Sequence, residues 1–145
     1  MLRSILGVIA AYVVIFIILF CVLTGAYFAM GPDRAFEPGS YTPSVLWDVI
    51  EIVVGLGAAV AAGALCIAIT RKRGAVTALA VVILVLGLLS AIPAFMAAGG
   101  PAEVRTGSVS NLEAMMKAKP PAWMALLNPV IGIAGVLVGG RMKRT

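Results

Sequence analysis

Four long apolar stretches, separated by polar or proline-rich breaks, make up most of the chain. No charged residue lies between Arg3 and Asp33, and the segment from Ile5 to Met30 is rich in Val, Ile, Leu and Phe. A second uncharged gap separates Glu51 from Arg71. With a helical lead from Ser44 it gives a span of about 26 residues, enough to cross a bilayer with some tilt. Gly74 to Ala102 is again free of charge, and Pro120 to Gly140 forms a fourth, less hydrophobic stretch that contains Asn128, Pro129 and four glycines. The pattern predicts helical spans at about 5–30, 44–70, 75–98 and 121–140 within one domain covering 1–145. The expected fold is an all-α integral membrane protein, with four transmembrane helices in a compact antiparallel bundle.

The breaks carry their own signals. Between Gly31 and Pro43, the pairs Gly31-Pro32 and Pro38-Gly39 punctuate turns and leave a compact connector with no strand. Thr42 followed by Pro43 looks like a helix N-cap with proline at the first helical position. The connector from Gly99 to Pro121 is too long for a tight turn, and Ser110-Asn111-Leu112-Glu113 fits a capping box. A short interfacial helix starting there would group Leu112, Met115 and Met116 with Lys117 near its end. The alternative is a solvated loop in which the match is chance.

Composition narrows the function. Of 145 residues, 62% are hydrophobic and 12% charged, whereas soluble domains carry about a quarter charged residues. Little chain is left for a water-soluble domain. With no His and two Cys, Ser-His-Asp triads, Cys/His zinc sites and His-ligated haem are excluded. No phosphate-loop spacing accompanies the Gly-Gly pairs at 99 and 139, which are expected to be hinges or ends. No cofactor is expected. Cys21 lies 18 residues beyond Arg3, roughly 27 Å along its helix, while Cys66 is five residues, roughly 8 Å, from Arg71. These depths do not allow a disulfide, so the two thiols are expected to be separate, small, buried apolar groups.

Charge sets the expected topology. The net charge is +5. Arg3, Arg71, Lys72, Arg73, Arg141, Lys143 and Arg144 fall on one side, against Arg34, Arg105, Lys117 and Lys119 on the other. The positive-inside rule places both termini in the cytoplasm of a bacterial inner (plasma) membrane. Arg71, Lys72 and Arg73 are expected to attract anionic lipid, and nothing in the pattern suits nucleic acid. A signal peptide is disfavoured because the first apolar run exceeds the h-region length, and Phe20 before Cys21 does not fit a lipobox. Trp47 and Trp123 open the second and fourth spans and suggest an aromatic belt.

Helices associate in lipid through small residues that let backbones approach. On a helical wheel, the first span sets Gly7, Ala10, Ala11, Cys21 and Gly25 opposite Tyr12, Phe16, Phe20 and Tyr27. That aromatic face suits lipid, a partner subunit or an apolar cofactor such as a pigment or quinone. The second span aligns Asp48, Glu51, Gly55, Ala59, Ala62 and Cys66, the third Ala80, Gly87, Ala91 and Ala94, and the fourth Asn128, Gly132, Gly135 and Gly139. Gly55, Ala59, Gly132, Gly135 and Gly139 are the expected packing positions, in a bundle without a wide lumen. Pro93 and Pro129 should each cost an internal hydrogen bond and kink their helices.

Three polar groups near the hydrocarbon are candidate chemistry: Asp48, Glu51 and Asn128, an ion or proton site or a helix contact. The bland reading places the two acids at a helix start, where the macrodipole stabilises them and Asp48 pairs with Arg34 or Arg105. Asn128 would then satisfy a backbone group freed by Pro129 or donate across to another helix. The layout is similar to that of many small four-span bacterial inner-membrane proteins, in span count and loop charge alone. It lacks the acid within the first span that the small multidrug transporters' pattern would require. The expected function is a non-catalytic accessory or structural subunit, packing against other transmembrane helices in a larger complex or homo-oligomer. The alternative is an oligomeric ion or small-solute transporter using the acidic site.

Overall fold

A computed structural model describes residues 2–97, 104–105 and 109–142, apart from the side chains at 97 and 115. The Gly-Gly pair at 99, most of the 99–109 connector, the side chain of Met115 and the basic tail at Lys143 and Arg144 lie outside the described residues. The described chain forms α1 (Leu2–Met30), α2 (Pro32–Ala35), α3 (Val45–Thr70), α4 (Arg73–Ala97), α5 (Asn111–Lys117) and α6 (Ala122–Met142). Helices α1, α3, α4 and α6 are each long and apolar enough to cross a membrane. No strand forms among the described residues.

The helix boundaries have local causes. α3 begins two residues later than Thr42-Pro43 implies, because Ser44 is the cap. Its hydroxyl accepts the Trp47 N–H at 3.2 Å and donates to the Arg34 carbonyl at 2.7 Å. Thr42 is already occupied: its hydroxyl accepts from the Ser40 hydroxyl at 2.9 Å, and Pro43 bridges to Phe36. α3 ends at Arg71, whose left-handed backbone (φ 55°) places its N–H on the Ile67 carbonyl and lets α4 start two residues later. The first connector is more ordered than a run of turns, since Pro32 starts the short α2. Pro93 and Pro129 both lie inside continuous helices.

α3 is central, packed on α1 and α6, with α6 in turn packed on α4. The core near Arg71–Arg73 is mostly small: Ala11, Ala59, Ala62, Cys66, Ala75 and Ala80 are buried around Val76, Leu79 and Val136. Small side chains bring backbones together, and three glycines complete the α3–α6 seam. A Cβ on Gly63 would run into the Val136 backbone, one on Gly139 into the Val60 carbonyl, and one on Gly135 would lie 2.6 Å from Ala59 Cβ. Gly139 and Gly140 are therefore helix-interior contacts, not hinges. Gly132 faces α4, where its Cβ would lie 2.8 Å from Ile83, and Gly55 faces open space.

The fixed small face expected of the first span does not form. Gly7 and Ala11 meet α3, Ile15, Leu19 and Leu23 follow, and Tyr27 is buried at the other end. These residues lie four apart, and each i,i+4 step turns 40° about the axis, so the contact line winds around α1. Cys21 and Gly25 consequently fall outside it: Cys21 is an exposed free thiol, while Cys66 is free and buried. The aromatic face divides too. Phe16 and Phe20 stack 6.4 Å apart and are 67% and 63% exposed, whereas Tyr27 is enclosed.

A second cluster caps the opposite end of the bundle. Tyr27, Ala35, Phe36, Tyr41 and Ala114 are buried together, with Trp47 edge-on to Tyr27 at 5.8 Å. Trp47 thus belongs to this cap, while Trp123 is exposed. α5 docks on the cap through the Tyr27 hydroxyl, which donates to the Asn111 carbonyl at 2.9 Å. Its first turn is capped by Ser110, which accepts the Glu113 N–H at 3.3 Å, and Lys117 pairs with Glu113 at 3.0 Å. Leu112 and Met116 point outward, 68% and 81% exposed.

Candidate functional site

The bundle closes around alanine near Arg71–Arg73 but opens toward the cap. There a cavity of about 430 Å3 lies among all four long helices, lined by Tyr12 and Ile15 of α1, Glu51 and Gly55 of α3, Ser90 of α4 and Asn128 of α6. The expectation of backbones meeting without a lumen holds for one half of the length only. The reason is side-chain size and position. Gly55 lines the cavity without a side chain and nothing fills the space that it leaves, whereas the space beside Gly132 is taken by Ile83.

Glu51 and Asn128 meet across this cavity. The Asn128 amide donates to the Glu51 carboxylate at 3.4 Å, linking α6 to α3. Pro129 helps to fix that geometry: its ring occupies the space in which a Cβ on Gly87 would sit, which seats α6 against α4 at the residue following Asn128. Of the two structural roles open to Asn128, the contact is thus the one across helices.

Asp48 stands apart. It lies one turn before Glu51 on α3, lines neither the cavity nor its neighbour, and keeps one carboxylate oxygen buried without a hydrogen-bond partner. Of the two basic residues proposed to neutralise it, Arg105 is used elsewhere and neither forms an ion pair with it. Arg105 pairs with Asp33 at 2.9 Å and bridges the two connectors, while Arg34 offers its carbonyl to Ser44.

A second cavity, of about 400 Å3, adjoins the first. It is walled by Phe16, Phe20, Tyr27, Phe36 and Trp47, and it shares Leu19, Leu23, Glu51 and Pro120 with the inner one. Glu51 therefore sits at the junction, and among the described residues no Lys or Arg lines either space. The sequence offered Phe16, Phe20 and Tyr27 as an aromatic face for a partner or apolar ligand; it missed that Phe36 of the first connector and Trp47 at the start of α3 complete the wall. Only the density of aromatics between Tyr27 and Trp47 hinted at it. Among the described residues, no group of three or more His, Cys, Asp or Glu is placed to hold a metal ion.

At the other end, a groove of about 450 Å3 runs between α1 and α4, with Ser4 and Lys72 above Ile5, Val8, Ile9 and Ala78. Arg3 closes it toward α3 by donating to the Ile69 carbonyl at 2.7 Å. The chain matches none of the family models, curated proteins or solved structures with which it was compared. Function is therefore argued from these sites alone.

Proposed function

We propose that the chain is a multi-pass protein of a bacterial inner membrane, whose four long helices cross as an antiparallel bundle and which acts as a non-catalytic subunit packing against other transmembrane helices. The observation that carries this reading is the unburied length of α1. It is the least buried of the four long helices, and Ile5, Ile9, Val13, Phe16, Ile17 and Phe20 are all exposed. The stacked Phe16–Phe20 pair at the rim of the aromatic cavity offers a ridge for a facing helix. A photo-crosslinking residue at position 16 or 20 tests this in native membranes. An adduct with a second transmembrane chain, or with another copy, is expected; adducts with lipid alone would overturn it.

The clustering of Arg3, Arg71, Lys72, Arg73 and Arg141 at one end supports a cytoplasmic placement of that end. The groove beside Lys72 supports contact with an anionic lipid, its phosphate at the ammonium and an acyl chain along Ile5 and Ile9. Co-purified lipid should shift to neutral species in Lys72→Gln with Arg73→Gln.

A second reading is favoured by one observation, the cavity pair around Glu51. An acid within an apolar span, with the Asn128 amide as its one hydrogen-bond partner and no basic residue in its walls among the described residues, is by default a candidate ion or solute site. In this reading the protein binds or moves a small solute at Glu51 and Asn128, and Glu51→Gln abolishes solute-dependent flux in reconstituted vesicles without loss of folding.

A further inference from the structure

We propose that Glu51 and the aromatic cavity beside it bind a lipophilic organic monovalent cation of the quaternary ammonium or phosphonium type; the proposal rests on the second reading above, that Glu51 serves a solute. Three features select this chemistry. Glu51 lines both cavities, so a charge held there can extend apolar arms into each. The outer cavity presents Phe16, Phe20, Tyr27, Phe36 and Trp47, and aromatic faces attract cations most strongly where water is excluded, as in the cages that recognise quaternary ammonium groups. Among the described residues the walls carry no Lys or Arg to compete for the carboxylate.

Other ligands fit less well. A calcium ion takes about six to eight oxygen ligands, whereas this site offers one carboxylate and one amide in largely apolar walls. An anion would face the carboxylate unscreened, and a neutral apolar molecule would leave it with the Asn128 amide alone and no counter-charge. The volumes of about 430 and 400 Å3 are large enough for a small organic molecule. The ligand charge belongs at Glu51 and not at Asp48, which lines neither space.

The test uses the whole chain in mild detergent with tetraphenylphosphonium as the probe. Binding is read by equilibrium dialysis and by quenching of Trp47 fluorescence in a Trp123→Phe background. Saturable binding is expected, weakened about tenfold or more in Glu51→Gln, since a charge-assisted contact is lost. Phe20→Ala, a change at an exposed rim position, should weaken it severalfold with unchanged thermal stability, while Asp48→Asn, whose carboxylate lines neither space, should weaken it much less than Glu51→Gln does. Absence of saturable binding, equal binding by Glu51→Gln, or equal losses in the Asp48 and Glu51 variants would overturn the proposal. A hydrophobic carbodiimide, with the modified residue mapped by mass spectrometry, separates the two levels of the argument. Protection of Glu51 by tetraphenylphosphonium supports the site as proposed. Protection by sodium or potassium alone overturns the organic cation but leaves the solute reading, and protection by none of them removes both.

Discussion

At Gly63, Gly135 and Gly139 the missing side chain is what permits α3 and α6 to touch, and single atoms there have large effects. A Cβ on Gly139 meets the Val60 carbonyl, which cannot move without its helix. Gly139→Ala should therefore destabilise the protein by about 1 to 3 kcal/mol through overpacking, outweighing alanine's propensity advantage of about 1 kcal/mol. Gly57→Ala is the control, because its Cβ would point into open space, and it should be neutral or slightly stabilising. Gly135→Leu against Leu137→Ala repeats the contrast with larger changes, since Leu137 is exposed. Thermal unfolding of all four variants in one detergent checks the order; equal tolerance at positions 135 and 137 would mean that the seam is not a close contact. Asp48 calls for a different expectation. Its charge gains about 0.3 to 1 kcal/mol from the helix start, but one oxygen is buried without a partner. The two terms oppose, so Asp48→Asn should leave the melting temperature nearly unchanged.

Among the elements, α5 and the cap depend on few contacts, whereas the long helices depend on many. The Tyr27 hydroxyl is a tether from α1 to α5, and Tyr27→Phe should cost about 0.5 to 1.5 kcal/mol. That loss should appear locally, as faster amide exchange in α5 with unchanged protection in α3 and α6. Uniform loss of protection would show that cap and bundle unfold as one unit. Ser44 joins both levels, since it caps α3 and holds the Arg34 carbonyl. Ser44→Ala should cost about 0.5 to 2 kcal/mol in thermal or denaturant unfolding. The winding contact line of α1 is a property of the element: a row of residues four apart rotates around the helix, so no wheel drawn with one fixed face describes both of its ends.

For the whole molecule, the proposed orientation follows from where cations collect. In a chain freed of Cys21 and Cys66, a thiol at Lys72→Cys should resist an impermeant reagent applied to intact cells, while one at Glu37→Cys should react. The reverse pattern would invert the topology. The bundle itself is asymmetric along its length, with alanine packing at the basic end and cavities at the cap end. That asymmetry places Glu51 and Asn128 where a ligand can reach them, and it leaves Asp48 outside the same site.

Much of the architecture was written in one-dimensional patterns. Apolar runs between charges give the four long helices to within a few residues, because each run is uninterrupted by charge over a length sufficient to cross a bilayer. The Ser110 cap, the separate cysteines and the small residues at 59, 135 and 139 were legible for the same reason: each depends on neighbours close in sequence or on side-chain size alone. Other features depend on long-range contacts and were not. Whether Thr42 or Ser44 capped α3 turned on which hydroxyl was already engaged by Ser40 and Arg34. That Tyr27 would be enclosed while Phe16 and Phe20 stayed outside turned on Phe36, Trp47 and the start of α5 closing over Tyr27 alone. The meeting of Glu51 with Asn128, 77 residues apart, and the cavity pair around them depend on how α1, α3, α4 and α6 come together, with Gly55 leaving its space open while the other end is closed by alanine and close-packed glycine. Spacing along a chain fixes which faces are small; tertiary packing alone decides which of those faces meet and which enclose a space.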